Sequence, residues 1–348
     1  MGLRDEIFEQ PEALTRLFRE QSGPVSEIGA TLKSRSIRFV YIAARGTSDH
    51  AGLYAKYLFG IHNQMPVALA APSIFSLYEG APHLKDALVI GISQSGQSPD
   101  IVGVLKAGAS QGASTLAITN TPDSPLAEAA EFVIPTCAGT ESAVAATKSY
   151  TTQLAAVAML SVALGSKDGD EGRLAELEAL PSKIEEVLEI APQVERDAER
   201  YRFMERCVIL GRGFQLATAA EWALKLKELT YVVAESYPPS DFRHGPIAIV
   251  DPGFPILAVL TRGRVWGDGL ELLRQLKEER RADLLVISDD PEALALGRTA
   301  FALPPDIPEW LSPIVAIVPG QLFSLYLTLH KELDPEVPRG LKKVTRTL

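Results

Sequence analysis

An apolar run over residues 87–92 breaks at once into Ser93-Gln94-Ser95-Gly96-Gln97-Ser98, and Pro99 then opens an amphipathic stretch over 101–109. The run is short and does not alternate, as expected of a strand buried on both faces. Proline suits the first helical turn, where its missing N–H has no partner to lose. A strand that turns through serine and glycine into a helix N-terminus makes an anion site. Free backbone N–H groups and the positive end of the helix dipole converge there. Ser93, Gln94, Ser95 and Ser98 add side-chain donors of little bulk, and the expected guest is a phosphate. A loop whose hydroxyls merely cap the helix is the competing reading of this segment.

The strand-then-helix order recurs along the chain. Residues 37–44, 67–70, 88–92, 115–119 and 132–135 read as strands, with helices over 47–59, 101–111 and 124–130 between them and a long helix over 144–164. A helix over 6–20 precedes them. Such βαβα order implies a parallel sheet covered on both faces. After a charged stretch at 165–173, one or two surface helices over 174–200 are broken near Pro181 and Pro192. The pattern then restarts with a strand at 207–211 and a helix at 215–232. A strand at 256–260, a helix at 268–280, strands at 284–288 and 300–303, and a helix over 310–333 interrupted early by Pro313 and Pro319 complete it. The expected division is an N-terminal helix (1–24), a first α/β domain (25–168), a helical linker (169–200), a second α/β domain (201–333) and a basic tail (334–348).

The halves also resemble each other in detail. Ile42-Ala-Ala-Arg-Gly-Thr pairs with Ile209-Leu-Gly-Arg-Gly-Phe, and Leu116-Ala-Ile-Thr-Asn-Thr-Pro-Asp with Leu285-Val-Ile-Ser-Asp-Asp-Pro-Glu. The chain reads as an internal duplication. The repeat fails where Ser93-Gln-Ser-Gly-Gln-Ser meets Thr261-Arg-Gly-Arg-Val-Trp, so one phosphate cradle per chain is expected.

Composition narrows the function classes. The 348 residues suffice for two domains, and 46% are hydrophobic. No apolar run reads as long enough to cross a bilayer, residues 154–164 being the nearest case, and the first residues lack a signal-peptide core. A cytoplasmic protein without a membrane partner is expected. Cys137 and Cys207 have no CxxC partner or ligand cluster nearby, so free thiols and no metal are expected. A net charge of −10 with no basic stripe argues against nucleic acid.

Five further constellations carry chemistry. Gly46-Thr47-Ser48 opens the first helix after a strand and should meet the Ser93–Ser98 loop in the crevice at the strands' carboxyl ends, unless it is an ordinary cap. Residues 138–148 place Glu141 and Lys148 on a glycine turn leading into a long helix, where the charges could equally be solvated helix-end groups. Glu221, Lys225 and Glu228 share one helical face. That face is either a surface ladder or, given Leu224, Leu226 and Leu229 around the helix, a cleft in which a glutamate serves as a proton-transfer base. His244, before Gly245-Pro246, is either structural or a loop acid/base. In the tail, Leu341 and Val344 beside Lys342 and Lys343 suggest docking rather than disorder.

These residues resemble the double-SIS (sugar isomerase) family. The match runs from about residue 37 to the end, through Arg45-Gly-Thr-Ser-Asp-His-Ala-Gly, Ile92-Ser-Gln-Ser-Gly-Gln-Ser, Ala138-Gly-Thr-Glu, Thr147-Lys, Thr151-Thr-Gln-Leu, Ala223-Leu-Lys-Leu-Lys-Glu, His244-Gly-Pro and Pro338-Arg-Gly-Leu-Lys-Lys. Within the family the chain is similar to the isomerase half of glucosamine-6-phosphate synthase and to stand-alone amino-sugar phosphate deaminases, ketose isomerases and fructosamine-6-phosphate deglycases. The resemblance implies two tandem domains, each a parallel five-stranded sheet flanked by helices in a flavodoxin-like three-layer sandwich. It implies that Gly46, Thr47, Ser48, Ser93, Gln94, Ser95 and Ser98 hold a sugar phosphate, with Glu141 and the Val144 backbone also at the substrate. Glu228 would move a proton between C1 and C2, His244 would open the ring from the neighbouring subunit of a homodimer, and Lys225 would contact the sugar. Lys343 matches the tail lysine that forms a Schiff base with a ketose. No cofactor is implied.

Three departures from the synthase stand out: no glutamine-hydrolysing domain, Asp241 in place of glutamate, and Gln97-Ser98 in place of Glu-Thr. They point to a stand-alone enzyme converting glucosamine 6-phosphate to fructose 6-phosphate and ammonia. A deglycase and a non-catalytic phosphosugar sensor are the alternatives.

Overall fold

The computed structural model describes residues 2–78, 80–165 and 170–343; Val344 and part of the charged stretch at 165–173 lie outside them. Among the described residues the backbone forms two parallel five-stranded sheets. The first contains β1 (Phe39–Ala43), β2 (Val67–Leu69), β3 (Ala87–Ser93), β4 (Ser114–Thr119) and β5 (Phe132–Pro135), in the order β2-β1-β3-β4-β5. β3 and β4 are buried at every residue, which is why their apolar runs do not alternate. Register sets Ile42 beside Ile90 and Ile90 beside Leu116. Helix Pro99–Ser110 covers one face through Val104 and Leu105 against Val89 and Ala117. Helix Lys148–Leu164 packs against both Gln10–Lys33 and Thr47–His62.

The second sheet repeats the plan. It contains β6 (Arg206–Gly211), β7 (Val233–Tyr237), β8 (Pro255–Val259), β9 (Asp283–Ser288) and β10 (Thr299–Ala302), in the order β7-β6-β8-β9-β10. The duplication seen in the sequence is thus a duplication of topology. β7 escaped the sequence reading because Val-Ala-Glu-Ser-Tyr lies at a sheet edge, with Val233 and Glu235 exposed, and carries no apolar run.

Several helices differ from expectation. The helix read over 6–20 is two, Leu3–Phe8 and Gln10–Lys33, the second starting with Pro11 in its first turn and continuing through Pro24. The linker forms three helices rather than one or two, Asp170–Glu178, Leu180–Leu188 and Ala191–Ala198; the breaks fall near Pro181 and Pro192 as expected, each proline lying in the first turn of the helix that follows. The long helix begins at Lys148, not 144. The last helix runs unbroken through Pro319 as Ser312–His330. By length and composition this one could cross a membrane, contrary to the reading that no such run exists. Yet 94% of it is buried within the protein, where it packs against helix Gln215–Thr230 as a core element.

Packing divides the chain into two compact units that do not follow chain order. The first unit comprises Glu9–Glu141, Ala146–Pro181 and, from the tail, Lys342 and Lys343. The second comprises Ser182–Leu341 together with helix Leu3–Phe8 and the short segment Ser142–Ala145.

Candidate functional site

In the first unit the strand order reverses between β1 and β3, the kind of switch point beyond whose carboxyl strand ends open parallel sheets bind ligands, and two loops leave the strands there. These are the Gly46-Thr47-Ser48 turn and the Ser93–Ser98 loop. Gly46 takes φ +55 at the N-cap of helix Thr47–His62, so Thr47 and Ser48 lie in the first turn rather than at the cap. The buried Ser48 hydroxyl accepts from Gln153 Nε2 at 3.1 Å. In the second loop Gly96 has φ +62, and a Cβ there would lie 2.0 Å from Ser124 Oγ, so only glycine fits.

The loop is braced by its own serines. Ser93 Oγ accepts from Gly96 N at 3.1 Å and Ser95 Oγ from Gln97 N at 3.3 Å. Accepting these bonds leaves each hydroxyl its proton to donate outward. Ser98 occupies the N-cap of helix Pro99–Ser110, but its side chain makes no capping bond. The simple capping reading therefore fails for that hydroxyl. Arg45 Nε reaches Asp100 Oδ2 at 2.9 Å and ties the two loops together.

The second unit has the same brace without the cradle. Arg212, after β6, pairs with Asp268 in the helix after β8. The place of the serine loop is filled by the protein's own polar network. Gln215 Nε2 donates to Thr261 Oγ1 at 3.2 Å and Ser312 Oγ at 2.7 Å, while Thr218 donates to Gln215 Oε1 at 2.6 Å.

Helix Gln215–Thr230 carries the charged face. An adjoining side buries Trp222, which makes an edge-to-face contact with Phe323 at 5.7 Å on helix Ser312–His330. With that backing the face is not a solvated ladder. Glu221 and Lys225 are buried, Lys225 Nζ lies 3.3 Å from Glu221 and 2.6 Å from Glu228, and only the Glu228 side chain stays partly open, at 24%. Burial is the largest influence on Lys225 and would depress its ammonium, but the Glu221 and Glu228 carboxylates outweigh it, leaving it held above the ordinary lysine range. His244 ends helix Pro239–Arg243 and is exposed. Its neighbour Arg243 anchors to Asp268 at 2.8 Å. No hydrogen bond or ion pair joins His244 to Glu228 among the described residues.

Glu141 and Lys343 meet in the first unit. Glu141 Oε1 accepts from the amides of Thr147 and Ser149 at 3.0 Å each, and its Oε2 accepts from Ser149 Oγ at 2.7 Å and Lys343 Nζ at 2.8 Å. Burial, the largest influence, pushes this carboxyl up, but the Lys343 ammonium and the two amides more than offset it, and its pKa lies below the usual range. Lys148 is also buried there rather than solvated, 2.7 Å from Glu9. Val144, half-buried, belongs by packing to the second unit, as do Glu228 and His244. The tail before Lys342 is also fixed in the second unit. Tyr231 Oη accepts from Arg339 N at 2.7 Å, and Glu336 Oε1 from Leu3 N at 2.8 Å.

Sequence reasoning missed Asp100, Asp268, Gln153 and Glu6 as supports. Both cysteines are free; burial, the leading cause for each, pushes Cys137 up to about 11 and Cys207 up to about 12. Among the described residues no cluster of three or more His, Cys, Asp or Glu could hold a metal.

The SIS domain family model matches residues 35–163 and again 202–331. The chain is 34% identical to a glutamine–fructose-6-phosphate aminotransferase (isomerizing) of Thermus thermophilus over 97% of its own length and 57% of that relative, so it spans little more than half of it. A solved structure of a candidate phosphosugar isomerase from Silicibacter pomeroyi DSS-3 superposes with a TM-score of 0.83 at 33% identity, covering 96% of this chain and 99% of that one. The C-terminal domain of glucosamine-fructose-6-phosphate aminotransferase from Francisella tularensis gives 0.87 at 27% identity, covering 97% and 98%.

Proposed function

Because the chain belongs to the SIS family, with two such domains in tandem, we propose that it is a phosphosugar isomerase-type enzyme acting on an amino sugar, and that its reaction is the deamination of glucosamine 6-phosphate. The phosphate would sit in the Ser93–Ser98 loop and against Ser48, held by hydroxyls and amides. His244 would open the ring by passing a proton between O1 and the ring oxygen. Glu228 would take the C2 proton and return it to C1, turning the aldose 2-amine into a ketose imine. Water then adds at C2 and ammonia leaves, so that glucosamine 6-phosphate and water yield fructose 6-phosphate and ammonia. The Lys225 ammonium would steady the developing enolate charge, as a fixed cation does at low dielectric. Lys343, paired with Glu141 at 2.8 Å, would bear on the C2 centre. The exposure of His244 suits a residue used by a second copy of the chain in a homodimer.

The observation that carries this reading is Glu228. Its carboxylate is oriented by the buried Lys225 ammonium at 2.6 Å, yet remains open to a ligand. A bare phosphosugar receptor has no use for such a group. The test is ammonia release from a panel of amino sugar 6-phosphates. Release from fructosamine 6-phosphate but not from glucosamine 6-phosphate would make the enzyme a deglycase, and binding without any turnover would make it a sensor. Light scattering, with complementation between His244→Ala and Glu228→Gln chains, tests the shared site.

A further inference from the structure

Residues 138–147 form no helix or strand, so their buried amides need side-chain partners. Asn120 Oδ1 accepts from Ala138 N at 2.9 Å, and two buried carboxylates serve further amides here. Glu141 takes the amides of Thr147 and Ser149. Glu6, on helix Leu3–Phe8, takes two more: a single oxygen, Oε1, accepts from Ser142 N and, at 3.1 Å, from the buried Ala143 N. Val144 follows directly. Glu6 is completely buried, and a buried carboxylate is costly unless charge-assisted hydrogen bonds replace its water. Its helix is fixed in turn, by the Glu336 carboxylate on the Leu3 amide and by packing on helix Ser312–His330. All of these groups except Glu141 and its partners lie in the second unit, with Glu228.

We propose that Glu6 is a positioning residue for substrate recognition: it sets the backbone of Ser142–Ala145 so that Val144 can contact the sugar, while the phosphate is gripped elsewhere, by the Ser93–Ser98 loop. The proposal rests on the phosphosugar reading above. Glu6 touches no substrate and acts through two backbone amides. Helix Leu3–Phe8, outside both stretches matched by the SIS model, thereby becomes part of the recognition apparatus.

Glucose 6-phosphate, which carries no amine to lose, and inorganic phosphate separate the two grips in a calorimetric titration. In Glu6→Ala, glucose 6-phosphate should weaken about ten-fold, the loss of roughly one positioning interaction, while inorganic phosphate changes less than about two-fold. Hydrogen exchange in the peptide spanning residues 142–145 should accelerate. Glu6→Gln keeps a carbonyl oxygen in the place of Oε1 and should recover most of the affinity. If Glu6→Ala does not fold, Glu336→Ala removes the acceptor of the Leu3 amide, loosens the same helix without touching the loop, and should shift both readouts in the same direction by less. Equal weakening of both ligands, unchanged exchange, or faster exchange without loss of sugar affinity each overturns the proposal. Failure of the unmutated protein to bind any sugar phosphate overturns the phosphosugar reading along with it. That result is distinct from variants that bind as well as the parent does.

Discussion

Lys343 Nζ lies 2.8 Å from Glu141 Oε2, so the tail is docked by the same carboxylate that closes the amides at the start of helix Lys148–Leu164. This pair has a pH signature. The folded pKa of Glu141 is depressed from its ordinary 4.5, so its stabilisation is present above that value and is lost as pH falls below it through the folded pKa. Urea midpoints measured down an acid series should decline less steeply in Glu141→Gln than in the parent. At neutral pH the same variant should expose Lys343 to trypsin sooner.

Glu228→Gln should lower turnover by about 10²–10⁴-fold, the usual contribution of a positioned acid/base group, while glucose 6-phosphate affinity stays within about two-fold. An equal fall in both would make Glu228 a binding group rather than the proton carrier.

Lys225→Met removes the ammonium that lies 3.3 Å from the buried Glu221 carboxylate. A loss of about 3–5 kcal/mol is expected in equilibrium unfolding, the cost of breaking a buried pair from one side. Adding Glu221→Gln should restore part of that loss. A surface ladder would lose no more than about 1 kcal/mol, with no rescue.

The cradle separates two kinds of helix-start residue. Ser98 makes no capping bond, whereas Asp290 caps helix Pro291–Leu296 by accepting from Glu292 N and Ala293 N. Asp290→Ala should therefore cost about 1 kcal/mol, and Ser98→Ala little stability but much phosphate affinity. Gly96→Ala should lose both, because its φ of +62 and the nearby Ser124 Oγ exclude a side chain.

What could be read in advance follows from how local each signal is. Buried strands such as β3 announce themselves by continuous apolar runs, whereas β7 at its sheet edge does not. Helical spacing put Glu221, Lys225 and Glu228 on one face. Whether that face was wet or buried depended on Trp222 and a helix about ninety residues further along the chain. Glu6 binds amides 136 and 137 residues away, and nothing near it in the chain marks it. The Arg45–Asp100 and Arg212–Asp268 braces were detectable in principle. Their separations are 55 and 56 residues, so extending the repeat alignment past the glycines would have matched them.

Each compact unit is completed by a piece borrowed from the opposite half of the sequence: Ser142–Ala145 in one direction, Lys342 and Lys343 in the other. The unit of duplication is therefore no longer the unit of folding. A gene severed after Pro181 would give each fragment a stretch with no seat in its own body and deprive it of one that has. Such fragments should regain their structure by complementation, together, rather than apart. For the same reason the halves are poor cassettes for exchange between relatives, since a graft must carry the matching borrowed strip from the same parent.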